Sequence, residues 1–164
     1  MRSRWAWGFA FGLFLCVPTI ASSAEPGGPG PETPSVVRLG PKHIQSVVDD
    51  LLVRLALPQK VGVAVVPKNP LMVSVESVDD GSVAFLLSLE EDFVDGLTDE
   101  ELQAAIAHEL GHVWIFTHHP FLQTEALANR IAMRIVSRDS LVQVYEKVWK
   151  RQGTKGDLNR FVGD

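Results

Sequence analysis

The amino-acid sequence predicts an α+β domain: a small antiparallel sheet of about three strands packed on a helical lobe. Three observations predict it. Short, β-branched runs lie between residues 61 and 89, separated by clusters of Pro, Asp and Gly. Apolar residues at helical spacing precede these runs and fill the C-terminal half. The clearest helical pattern carries His108-Glu109-Leu110-Gly111-His112, with two imidazoles one turn apart.

Taken in order, residues 1–24 read as a secretory signal peptide. Arg2 and Arg4 form a basic start, Trp5 to Val17 an apolar core, and Ala21-Ser22-Ser23-Ala24 a small-residue cleavage site after Ala24. The alternative is an uncleaved anchor over residues 5–20, although the apolar run is short for a membrane span. Phe14 and Leu15 are bulky where a lipoprotein site before Cys16 needs small residues. Residues 25–40 are a linker, since Glu25 to Pro34 holds four prolines and three glycines. The domain itself is expected over residues 41–152, and a flexible tail over 153–164.

Pro41 opens the first helix, and Ile44, Val47, Val48, Leu51, Leu52 and Leu55 form its buried stripe until Pro58 ends it. Val61 to Val66, Leu71 to Val78 and Ser82 to Leu89 read as strands, the last two joined by Asp79-Asp80-Gly81. Thr98 with Glu101 forms a capping box that starts the motif helix, which His118, His119 and Pro120 close. A second helix is expected from Thr124 to Ser137, with Leu127, Ala128, Ile131 and Ile135 inward. Asp139 or Ser140 caps a third that carries Leu141, Val144, Tyr145, Val148 and Trp149.

Composition narrows the function. The chain of 164 residues is one domain plus extras. Cleavage after Ala24 leaves 13 basic against 20 acidic residues, a formal charge of −7, with no basic patch for nucleic acid. It also removes the single cysteine, excluding disulfides, thiol nucleophiles and Cys-based zinc sites, and leaves no membrane span.

On a helix, positions four apart share a face, so His108 and His112 can reach one metal ion. Glu109 points toward the same cleft and can take a proton from water. Glu125, thirteen residues after His112, closes a three-ligand site with an open fourth position. The plain alternatives are two helix histidines satisfied by hydrogen bonds, and a first-turn glutamate favoured by the helix dipole. Gly111 weighs against the first: it costs a helix about 1 kcal/mol relative to Ala, so something at close range needs the space. Asn129 weighs against the second, because it shares a face with Glu125 and can accept a hydrogen bond from Nδ1 of His108. His118 is the competing third ligand, but Ile115 stands where the extended metzincin motif needs a turn glycine. His118, His119, Arg130 and Tyr145 are each candidate oxyanion stabilisers, and the sequence does not choose among them.

Residues Val83 to His112 (VAFLLSLEEDFVDGLTDEELQAAIAHELGH) resemble the run before the zinc helix in gluzincin metallopeptidases of the HtpX and CAAX-prenyl-protease type. Glu125 to Asn129 (EALAN) matches their E-x-x-A-D signature with Asn for Asp, and is similar to the second motif of ImmA/IrrE-type gluzincins. The resemblance spans roughly residues 60 to 136; its HExxH part is shared by many peptidases, its paired second motif by fewer. It implies a near-minimal zincin-like fold binding one Zn²⁺ per chain through His108, His112 and Glu125, with Glu109 as general base and acid. It also implies a strand at Val83 to Leu89 above the cleft, whose edge can pair with an extended protein or peptide substrate. The expected function is a secreted or periplasmic zinc metalloendopeptidase. The alternative is a zinc-bearing peptide-binding or regulatory module, or a latent peptidase with little turnover.

Overall fold

The computed structural model describes residues 40–78 and 81–163, and the backbone alone of residues 6–8. The signal-peptide and anchor readings, the linker up to residue 39 and the Asp79-Asp80 turn therefore lie outside the described residues, apart from 6–8. No helix among the described residues is long and apolar enough to cross a membrane.

The chain is α+β, as its patterning implies. Helix α1 (Pro41–Arg54) starts with proline in its first turn, where a missing N–H costs nothing, and buries Ile44, Val48, Leu51 and Leu52. The sheet follows as β2 (Val61–Val66), β3 (Val73–Ser77) and β4 (Phe85–Glu90), with a short β1 (Ala6–Gly8) at one side. The order is β1-β3-β4-β2. The sheet is mixed, which corrects the antiparallel expectation: β4 pairs antiparallel with β3 but parallel with β2. The cause lies in the β2–β3 connection, where Pro67 and Pro70 cannot donate to a hairpin ladder. Asn69 pins this crossing, its amide donating to Ser74 Oγ and the Ser88 carbonyl, each at 3.0 Å, while its Oδ1 accepts from Leu71 N.

Phe85, Leu87 and Leu89 of β4 and Val73 and Val75 of β3 point into the core at alternate positions. Because β4 lies between β3 and β2, both its edges are taken. An added substrate strand along Val83 to Leu89 has no backbone groups left to pair with there, so that expectation is corrected.

After β4 a single turn, α2 (Glu91–Val94), buries Phe93 and Val94; the sequence pattern is too short to announce it. Helix α3 (Asp99–His118) begins at the full Thr98–Glu101 capping box. Every residue from Ala104 to Val113 is buried, polar ones included, so this helix runs through the core rather than along it. A 3₁₀ turn (Pro120–Leu122) leads to α4, which spans only Glu125–Ala132. It stops short of the expected Ser137, because the Ser137 side chain accepts from Ser140 N and starts α5 (Arg138–Gln152). That cap also replaces the expected one at Asp139 or Ser140.

The segment after Gly153 departs from a loose tail. It forms α6 (Leu158–Val162), capped by Asp157, with Val162 only 4% exposed.

Two contacts set the position of α3. Its Gly111 lies against α4 so closely that a Cβ there would meet the Ala128 carbonyl oxygen at 2.5 Å. At its start, Glu101 Oε2 accepts from Thr98 N at 2.7 Å and pairs with Lys147 Nζ of α5 at 2.5 Å. Burial raises the Glu101 carboxyl, but Lys147 and the Thr98 bonds outweigh it and hold it below 4.5.

Gly111→Ala should therefore destabilise the protein by about 1–3 kcal/mol, the overpacking cost exceeding the helix-propensity gain of about 1 kcal/mol. Urea unfolding of the two proteins measures it, and a stabilised variant would contradict the contact. Lys147→Met should cost about 1 kcal/mol at pH 7, since Lys147 is itself part-exposed. A lowered folded-state carboxyl stabilises above its unfolded value, so this difference should shrink as pH falls below 4.5.

Candidate metal centre

His108 and His112 project from one face of α3, and Glu125 is the first residue of α4, held there by its Thr124 cap. The Gly111–Ala128 contact brings those two elements together. His108 Nε2 lies 3.2 Å from Glu125 Oε2, and His112 Nε2 lies 3.5 Å from Oε1. One ligand atom from each of the three residues falls within 4.8 Å of the others, a group that can hold a metal ion. Both histidines are buried, whereas the Glu125 side chain is 26% exposed, so solvent reaches the cluster on the Glu125 side.

The imidazoles are oriented from behind by two carboxamides. His108 Nδ1 is 2.7 Å from Asn129 Oδ1, and His112 Nδ1 is 3.0 Å from Gln123 Oε1. Each amide is oriented in turn by a backbone carbonyl, which only accepts. Asn129 Nδ2 donates to the Phe161 carbonyl at 2.9 Å, and Gln123 Nε2 to the His112 carbonyl at 3.2 Å. With nitrogen spent on a carbonyl, the amide oxygen faces the ring, and each Nδ1 must carry the proton. Both rings then turn Nε2 toward Glu125.

Charge completes the argument. Burial pushes His108 down, against the pull of Glu125. Burial raises Glu125, but the two histidines outweigh it and hold it at about 2, so it is an anion at neutral pH. Two ring nitrogens and a carboxylate converging on one point is an arrangement a cation stabilises. The two-nitrogen, one-oxygen donor set fits a divalent metal, with its outer partners in place.

Glu109 is wholly buried between the histidines in sequence; burial, then the Glu125 charge, push its carboxyl well above the usual range, offset in part by the Val75 backbone N–H. The Tyr145 ring packs edge-on against His108 at 6.0 Å, and its hydroxyl accepts from Asn129 Nδ2 at 2.8 Å and interacts with Glu125. Burial, with the Glu125 charge beside it, drives that hydroxyl far upward, so it stays protonated.

Of the four candidate oxyanion stabilisers, Tyr145 is thus the one placed against the cluster. His118 is exposed and stacks on Trp114 at 4.2 Å, with Nδ1 bonded to the Trp114 carbonyl, and it is outside the three-residue group. His119 is exposed beside the same indole, and Arg130 lies on the exposed face of α4. Gln123 is the residue that sequence reasoning missed. Its one signal is position: it stands two residues before Glu125, where the chain returns to the motif helix.

No protein-family model matches this chain. No curated protein matches it either. Among solved structures it is similar to the metallopeptidase zymogen of Pyrococcus abyssi abylysin, at 13% identity and a TM-score of 0.48, over 70% of this chain and 99% of that one.

Glu125→Ala should abolish stoichiometric metal binding, whereas Gln123→Ala should weaken it roughly 10–100-fold, the usual cost of losing a ligand's outer partner. Competition against a chromogenic chelator reads both. Full occupancy in Glu125→Ala would exclude Glu125 as a ligand.

Proposed function

We propose that this chain is a zinc-dependent peptidase, an endopeptidase that hydrolyses protein or peptide substrates in the cell envelope or outside the cell. The observation that carries this reading is the pair of amide-held imidazoles facing the Glu125 carboxylate, with Glu109 buried beside them. The site takes one metal per chain, and a mixed nitrogen and oxygen set suits zinc. Held by His108, His112 and Glu125, zinc would supply a Lewis acid that polarises a carbonyl and acidifies water.

The chain's own residues do the rest. With a bound cation offsetting burial and the Glu125 charge, an ionised Glu109 would accept a proton from the attacking water as the new C–O bond forms, and deliver it to the departing amine as the C–N bond breaks. Asn129 and Gln123 hold the rings, and Tyr145 holds Glu125. An extended substrate has its place along the edge of β3 away from β4, antiparallel, on the strand that packs against α3. The N-terminal leader pattern supports action outside the cytoplasm.

One observation favours a latent form as a second reading. The chain's own residues 6–8 pair antiparallel with Ser74–Glu76, on that same edge, and so occupy the substrate's place.

The test is digestion of a mixed peptide library by the zinc-loaded protein, read by mass spectrometry. Glu109→Gln should lower turnover roughly 10²–10⁴-fold while zinc stays bound. Removing residues 1–24 should raise turnover if the first strand is a block. Zinc at full occupancy with no cleavage by either form would end the peptidase reading.

A further inference from the structure

Asn129 is fully buried and uses every arm of its amide: Oδ1 toward His108, Nδ2 toward both Tyr145 Oη and the Phe161 carbonyl. The Tyr145 hydroxyl faces the Glu125 carboxylate, which only accepts, so its oxygen is left to accept from Asn129 Nδ2. The Phe161 carbonyl likewise only accepts. The orientation of a ring at the heart of the site therefore depends in part on a backbone oxygen 32 residues further along the chain.

The segment that delivers this oxygen is built to stay. Gly153 adopts φ 65° and Thr154 N bonds the Trp149 carbonyl at 2.9 Å, turning the chain back over α5. Gly156 lies so close on the Trp149 ring that a Cβ would meet it at 2.2 Å. The Phe161 ring stacks on Tyr145 at 5.8 Å, Val162 is buried, and the Arg138 guanidinium clamps the Gly163 carbonyl at 2.6 Å and 3.2 Å.

We propose that residues 153–163 are a positioning strap of the metal centre: by presenting the Phe161 carbonyl to Asn129 they fix the tautomer of His108, and with it the affinity for the metal. This rests on the metal reading of the site. It also gives the asparagine a reason. An aspartate would accept from His108 with either oxygen and need no orienting, but it would set a carboxylate oxygen against the Phe161 carbonyl. Only a carboxamide serves the ring and the strap together.

The test is a cycle in the full chain. Arg138→Ala with Val162→Ala loosens two anchors at the end of the strap without touching the cluster. In the Asn129 background this pair should raise the zinc Kd roughly 10–100-fold. In the Asn129→Asp background it should change Kd by no more than about twofold, the scatter expected of independent sites. Equal losses in both backgrounds would mean that the strap acts by packing alone, and would overturn the proposal. The second readout needs no metal: side-chain ¹⁵N spectra of the metal-free protein should show His108 as the Nδ1–H tautomer, with the Nε2–H form growing in when the strap is loosened. A spectrum unchanged by the pair also overturns it. Failure of the unaltered protein to bind zinc would defeat the metal reading instead, and the tautomer spectrum would still decide whether the strap orients the ring.

Discussion

The close approach of two backbones at Gly111 is the constraint on which the site depends. Side chains on different helices can share one ion only if their donor atoms converge, and the spacing of the helices sets whether they do. Here a single missing Cβ lets the Ala128 carbonyl sit where a side chain would stand. The same contact places Glu125 at 3.2 Å and 3.5 Å from two rings that α3 already aligns. A helix that is buried on all sides cannot shift to accommodate its neighbour, so the glycine is where the geometry is decided.

Around that contact the interior carries an unusual polar load. His108, Glu109, His112 and Asn129 are all buried in or against the central helix. Groups of this kind are costly in a low-dielectric interior unless each has a defined partner. The two carboxamides meet this need by passing hydrogen bonds from ring to backbone carbonyl. The direction of every bond in these chains is dictated by an acceptor that cannot reverse, which makes the whole arrangement single-valued.

Much of this was legible beforehand, and what was not has physical reasons. The HELGH spacing, the Thr98–Glu101 box, the inward glycine and the Glu125–Asn129 face follow from helical periodicity alone, which reports neighbours three and four apart. The Ala128 backbone that needs the space beside Gly111 is a partner on another helix, which periodicity does not reach. Gln123 is invisible for the same reason: it sits in an irregular stretch and acts on a histidine eleven residues away. The mixed sheet escaped because alternation in β4 tells which face is buried, while strand order depends on how Pro67 to Met72 crosses. The closing helix escaped because five residues hold too little pattern, although Gly153, Gly156 and Asp157 each mark a turn or a cap.

Glu101 has a dual attachment whose meaning is dynamic. One oxygen of its carboxylate both closes the first turn of α3 and receives Lys147 from α5. Local capping and tertiary docking are usually separable, so helix ends fray while the body of a fold persists. Here fraying of the first turn breaks the pair with α5, and lifting of α5 takes a partner from the turn. The amides at the start of the central helix should thus exchange with solvent in step with those of α5, as one cooperative unit, and the helix that carries the histidines is closed against breathing from its own N-terminus.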